Sequence, residues 1–158
     1  MQQPWNKVPQ VLYSLSTICP EGKSNMNICS YAVPISMQPK KYMIALDPNS
    51  KTYDNFCKDG EGVLQILSKN CKQYVVPFEK KSWKNINKLE KYKNDTQDFK
   101  GYPVLKDAIA VLKVRLVKQV AILESDHDLF IVEVLHWKYL NEDWEFLYRG
   151  DIKHLKLR

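Results

Sequence analysis

Apolar residues in this chain fall into short blocks of strand length, separated by polar and turn-forming residues. Residues 11–18 (VLYSLSTI) alternate apolar and polar, which predicts a half-buried strand. Residues 26–33 predict a second strand, and residues 42–46 (YMIAL) form a continuous apolar run, as in a buried strand. Residues 52–58 read as a short helix stopped at Gly60. Residues 62–67 (GVLQIL) return to strand. Residues 72–100 are polar, Lys-rich and weakly periodic, and are read as short helices and loop. Residues 108–123 are long and β-branched and predict one long strand. Residues 127–139 alternate clearly, with Leu129, Ile131, Glu133 and Leu135 on one face and Phe130, Val132, Val134 and His136 on the other. Ser125 and Asp126 make the turn between these two strands. Residues 146–149 and 152–157 predict a terminal hairpin or extended tail. There is no internal repeat and no low-complexity linker, so residues 1–158 are expected to form one domain.

Six or more strands with long antiparallel neighbours and few helices predict a mainly β fold, a closed or nearly closed barrel. A Rossmann fold is excluded, because no G-x-G-x-x-G follows a strand and strands do not alternate regularly with long helices. Any nucleotide must then be held by loops and strand ends. A chain of 158 residues is long enough to build its own core. Its hydrophobic content of 44% and charged content of 27% are globular values. The net charge of +6 comes from lysines spread along the chain, with three arginines in all, so a Lys-rich solvated surface is preferred to an anionic partner. A nucleic-acid barrel would interleave aromatics with basic residues on neighbouring strands, and Lys113, Arg115, Lys118 and Lys138 give only a hint of that. No nucleic-acid partner is expected.

No apolar run approaches the roughly 18 residues needed to span a membrane, and the first ten residues lack a basic region followed by an apolar core. No membrane association and a cytoplasmic location are expected. Cys19, Cys29, Cys57 and Cys71 are not in metal-clip spacing, and His127, His136 and His154 do not complete a site. Reduced thiols and no bound metal are expected.

Small polar residues cluster at two points. The first cluster is Asn25, Asn27, Cys29 and Ser30; the second is Asp47, Asn49, Ser50, Lys51 and Thr52, where a strand gives way to a helix. Unpaired backbone N–H groups at a helix start carry the positive end of the dipole and attract phosphate. Lys51 adds a charge and Thr52 a hydroxyl. On the residues alone, an ordinary turn and helix cap is the better reading of Asp-Pro-Asn-Ser. His127, likewise, reads as a turn residue capping the strand that starts there.

The order of these features resembles the flavin reductase family, whose members share an FMN-binding split β-barrel. NMNICSYAVPISMQP is similar to the family's second strand, with a small-polar patch, an aromatic, then Ser and Pro. IALDPNSKTYDNF is similar to its strand, phosphate loop and helix. GYPVLKDAIAVLKVRL resembles G-x-P-x-L followed by a long strand, SDHDLFIVEV the G-D-H turn and strand, and FLYRGDI the closing strand. The chain departs from the pattern at Cys29, where Thr or Ser is usual, and at Ser125 and Val132, where Gly is usual.

The resemblance implies a Greek-key split barrel with a few short helices, and FMN held at a homodimer interface, with FAD as an alternative flavin. NADH or NADPH would be the electron donor. Asn25, Asn27, Ile28, Cys29 and Ser30 would line the ring and ribityl chain, largely through backbone groups, with Ser36 nearby. Asn49, Lys51 and Thr52 would bind the phosphate. Tyr148 and Arg149 would contact the flavin from the partner subunit. His127 would stand beside flavin and nicotinamide as the catalytic residue. An FMN-binding electron carrier that makes no direct use of NAD(P)H is the alternative activity.

Overall fold

The computed structural model describes residues 3–79 and 88–153. Strands β1 (Tyr13–Ile18), β2 (Ser24–Cys29), β3 (Ala32–Ser36) and β4 (Lys41–Leu46) come first, followed by helix α1 (Lys51–Asp59) and strand β5 (Glu61–Leu67). Helices α2 (Lys72–Glu79) and α3 (Lys88–Lys91) precede β6 (Thr96–Phe99), β7 (Tyr102–Leu105), and the long pair β8 (Ala108–Val120) and β9 (Asp128–Tyr139). Seven strands form one antiparallel sheet in the order β2-β1-β5-β8-β9-β4-β3, and β6 with β7 makes a separate hairpin.

The order of this sheet dictates its shape. β2 and β3 follow one another in sequence yet stand at opposite edges, with only Ser30 and Tyr31 between them. The sheet must therefore roll until its edges approach at that crossing. The Tyr31 carbonyl accepts from the Ala45 N–H at 2.9 Å and fastens the crossing to β4. β2 and β3 are not paired with each other, so the barrel stays open along this line. The result is mainly β with short helices, a split barrel where the sequence also allowed a closed one. Bulges at Lys113/Val114 and Leu116/Lys118 let the long strands bend with the roll. Where β5 approaches β1, a Cβ on Gly62 would lie 2.8 Å from the Ser16 carbonyl oxygen, so only glycine fits.

Two cores lie on either side of β1, β5 and β8. The barrel interior holds Leu15, Ile44, Leu46, Leu64, Leu112, Phe130 and Val132, and α1 plugs it with Phe56. The other core holds Met26, Val63, Leu67, Val75, Phe78, Val104 and Val111 beneath α2 and the β6–β7 hairpin. β5 faces both, which is why its sequence is a nearly unbroken apolar run. Gln65 breaks that run for a reason. Its amide donates to Ser14 and Ser16 Oγ at 3.4 and 3.1 Å, and its carbonyl accepts from Leu105 N at 2.7 Å, so β7 is docked by a satisfied buried network.

Three sequence expectations need correction. Residues 26–33 are two strands, because the chain crosses from one sheet edge to the other at Ser30–Tyr31. The 72–100 segment ends in a hairpin strand, β6, whose partner β7 follows at once. Its two-residue turn, Lys100 and Gly101, has φ of 53° and 84°; the pattern alone did not reveal it because Lys-Gly is a weak turn signal and Pro103 sits in the strand. In the C-terminal segment, expected as a hairpin or extended tail, residues 146–148 run extended but Arg149–Ile152 form a turn. Leu147 bonds at the end of the β1–β5 pair, donating to Leu67 O at 2.9 Å and accepting from Leu12 N at 2.8 Å. The expected tail at 154–157 and His154 lie outside the described residues. Among the described residues, no helix is long and apolar enough to cross a membrane.

Candidate functional site

Several predicted site residues meet at one end of β4. Ala45 is bonded to Tyr31, Leu46 pairs with Asp128, the first residue of β9, and the turn after Leu46 leads into α1. The Ser30–Tyr31 crossing, the start of α1 and the turn bearing His127 therefore converge.

The helix start is a built turn. Asp47 Oδ1 accepts from the Asn49 backbone and side-chain amides at 2.8 and 3.1 Å, and Ser50 Oγ caps the helix by accepting from Tyr53 N at 3.1 Å. The first helical bond runs from Asp54 N to Ser50 O. Among the described residues, the N–H groups of Lys51 and Thr52 have no partner and lie at the positive end of the α1 dipole. The Lys51 side chain is exposed beside them. Thr52 is different: its side chain is buried, and its Oγ1 accepts from Asn25 Nδ2 at 2.7 Å. One turn later Asn55 Nδ2 donates to Thr17 Oγ1 at 3.2 Å, and Thr17 is the register partner of Asn25. Asn25 and Thr52 thus latch the helix start onto β2. A phosphate here would meet the backbone N–H of Thr52 and the Lys51 ammonium, with the Thr52 hydroxyl turned inward.

Along β2, Cys29 is buried in the barrel core with its thiol 3.7 Å from Tyr31 O and 3.9 Å from Ala45 O. Burial pushes this thiol up to about 12, and it is turned inward onto two carbonyls, which leaves the Cys29 backbone as its outward group. Ile28 packs against the α2 core, and Asn27 is half-buried. As an edge strand bonded only to β1, β2 turns alternate backbone groups outward. Ser30 Oγ accepts from Arg149 Nη1 at 3.2 Å. That arginine follows the docked Leu147 and here bonds Ser30 of its own chain. The adjacent Tyr148 donates its N–H to Asp151. An open groove of about 390 Å³ runs from Ser30 past Val11, Tyr13, Val33 and Met43. Ser36 lies apart. It pairs with Lys41 at the far end of β4, a strand's length of roughly 17 Å from Leu46.

His127 sits in a tight turn. Its N–H donates to Ser125 Oγ at 3.2 Å, its Nδ1 lies 2.8 Å from Asp126 Oδ1, and its ring meets Tyr31 edge-on at 5.2 Å. The His127 hydrogen bond holds the Asp126 carboxyl below its ordinary range. An ionised carboxylate only accepts, so the Nδ1 proton points at Asp126 and Nε2 is left for other partners.

Sequence reasoning missed the brace behind this turn. Asp128 Oδ1 accepts from Ile122 N at 3.0 Å, and its Oδ2 accepts from the Tyr53 hydroxyl at 2.7 Å. Gln119 Nε2 donates to the same hydroxyl at 2.6 Å. The bond to Asp128, with desolvation next, pushes the Tyr53 phenol up to about 12, and the reciprocal bond holds Asp128 low. The position of Tyr53, directly after Lys51 and Thr52, was the one available hint.

A helix start with unpaired N–H groups and a lysine, an open strand edge, and an open groove beside Ser30 and Tyr31 are features that a flavin nucleotide could use. Residues 5–155 match the family described as flavin reductase like domain. The chain belongs to that family. A search of curated proteins finds no match. Solved structures share the fold. The NADH:FAD oxidoreductase of Streptomyces globisporus C-1027, solved with NAD and FAD fragments, has a TM-score of 0.79 at 13% identity, over 91% of this chain and 82% of that one. The styrene monooxygenase flavin reductase of Pseudomonas putida S12 gives 0.76 at 19% identity, over 89% and 85%. An FMN-binding protein from Thermus thermophilus, with bound 1-cyclohex-2-enone, gives 0.74 at 18% identity, over 89% and 76%.

Proposed function

We propose that this chain binds FMN and catalyses its reduction by NADH or NADPH, with FAD as a possible replacement for FMN. The observation that carries this reading is the convergence of the α1 start, the open β2 edge and His127 at one end of β4. Bound flavin supplies the hydride-accepting chemistry, and the protein needs only to bind, orient and tune it. Lys51 and the N–H groups beside it hold the phosphate. An outward amide of β2, at Asn27 or Ile28, donates to the polar edge of the ring, and Ser30 orients Arg149 so that its positive charge offsets negative charge developing there. His127, fixed on its Nδ1 side by Asp126, presents Nε2 to the nicotinamide. Family membership supports the flavin reading, and so does a relative solved with NAD and FAD fragments. The exposed apolar residues Val33 and Ile35 on edge strand β3, with Tyr31 and Met37 flanking it, support assembly as a homodimer.

Anaerobic stopped-flow with NADH and NADPH tests the reaction. His127→Ala should keep FMN affinity near wild type and slow flavin reduction by roughly 10²-fold, the worth of a positioned donor. Equal rates would return His127 to strand capping. Tight FMN binding with no reduction by either nicotinamide would favour the electron-carrier activity instead.

A further inference from the structure

We infer that Tyr53 is a positioning residue that transmits phosphate occupancy at the α1 start to the turn carrying His127. This rests on the proposed flavin site and concerns how its two ends communicate.

Tyr53 belongs to both ends at once. Its N–H is held by the Ser50 cap, directly after the unpaired N–H groups of Lys51 and Thr52. An anion bound there would add partners to the first turn of α1, whose Ser50 cap holds the Tyr53 N–H. Its hydroxyl, 2.7 Å from Asp128 Oδ2, then reaches the residue next to His127. Asp128 spends its other oxygen on Ile122 N, which closes the turn between β8 and β9. The link is short and geometrically fixed. The Tyr53 ring is held edge-on by Phe130 at 5.3 Å, and its hydroxyl is held by Gln119 at 2.6 Å. A second bond from α1 to β8, Cys57 Sγ to Gln119 Oε1 at 3.5 Å, ends on the strand and not on the turn. The contact between Tyr31 and His127 touches the turn but not the helix start. Among the described residues, Tyr53 is thus the side chain hydrogen-bonded at both places, beside the backbone pairing of Leu46 with Asp128 and the charge of Asp47 acting on Asp126.

A simple brace and a transmitter make different predictions. A brace steadies the turn equally with or without ligand. A transmitter makes the turn's order depend on whether the helix start is filled, so that FMN and riboflavin, which differ by the phosphate, have different effects on it. Backbone hydrogen exchange of the full-length protein separates the two. In the wild type, FMN should slow exchange across residues 121–128 by about fivefold more than riboflavin does, the effect of one ordinary hydrogen bond. In Tyr53→Phe, which keeps the ring and loses the hydroxyl, FMN should still slow exchange at the start of α1 but no longer at 121–128. Should Tyr53→Phe fail to fold, Lys51→Ala carries the test: FMN should then protect the turn no more than riboflavin. Full FMN protection of 121–128 in Tyr53→Phe would overturn the inference. So would equal protection by FMN and riboflavin in the wild type. A wild-type protein that takes up neither flavin would instead overturn the flavin site itself, and this inference with it.

Discussion

Single residues at the site divide by what their side chains are free to do. Lys51 faces solvent, whereas Thr52 is committed to Asn25. Lys51→Ala should therefore weaken FMN binding by about tenfold or more, since a hydrogen bond to a charged group is worth roughly 1.5–3 kcal/mol. Riboflavin binding should be unaffected, and calorimetric titration of both flavins checks this. Thr52→Ala should instead cost stability through the lost latch to β2. The cysteines divide the same way. Cys19, Cys29 and Cys71 are buried and Cys57 is exposed, so a thiol reagent should modify Cys57 first in the native protein, with the others reacting only on unfolding. Mass spectrometry of the labelled protein reads the order. The residue types in the two polar clusters were legible in the sequence, and their division was not. Whether a threonine hydroxyl faces a ligand or a neighbouring asparagine depends on a contact 27 residues away.

At the scale of elements, periodic segments were readable and crossings were not. β4, α1, β5, β8 and β9 lie within a few residues of their expected limits, because each is an apolar run or alternation bounded by turn and cap residues. The β2–β3 break was hidden, since a short run of mixed residues looks the same whether it continues along one edge or jumps to the other. Residues 146–148 were legible as extended, but the docking of Leu147 onto Leu12 and Leu67 needed the fold. The β8–β9 turn carries a pH dependence. The Tyr53 hydroxyl, then Ile122 N–H, hold the Asp128 carboxyl below its ordinary range. A group depressed in the folded state stabilises the protein above its unfolded pKa of about 3.9, and that stability is lost as pH falls through the folded value. Melting temperatures taken from pH 5 downward should therefore fall more steeply for the wild type than for Asp128→Asn. Parallel curves would show that Asp128 is not depressed in the folded protein.

For the whole molecule, strand order decides where function can sit. Rolling the sheet brings its two edges together at Ser30–Tyr31, and the same end of β4 receives the helix start and the His127 turn. The spread of lysines gave no hint of this, since net charge reports solubility and not architecture. The order of the motifs did, because it is the order in which the chain visits that end of the barrel. The most direct test of the account is a visible absorbance titration of the purified full-length protein with FMN, followed by removal of free flavin. The flavin bands should stay with the protein, one flavin per chain, with a shifted spectrum. A colourless protein that retains no FMN would contradict it.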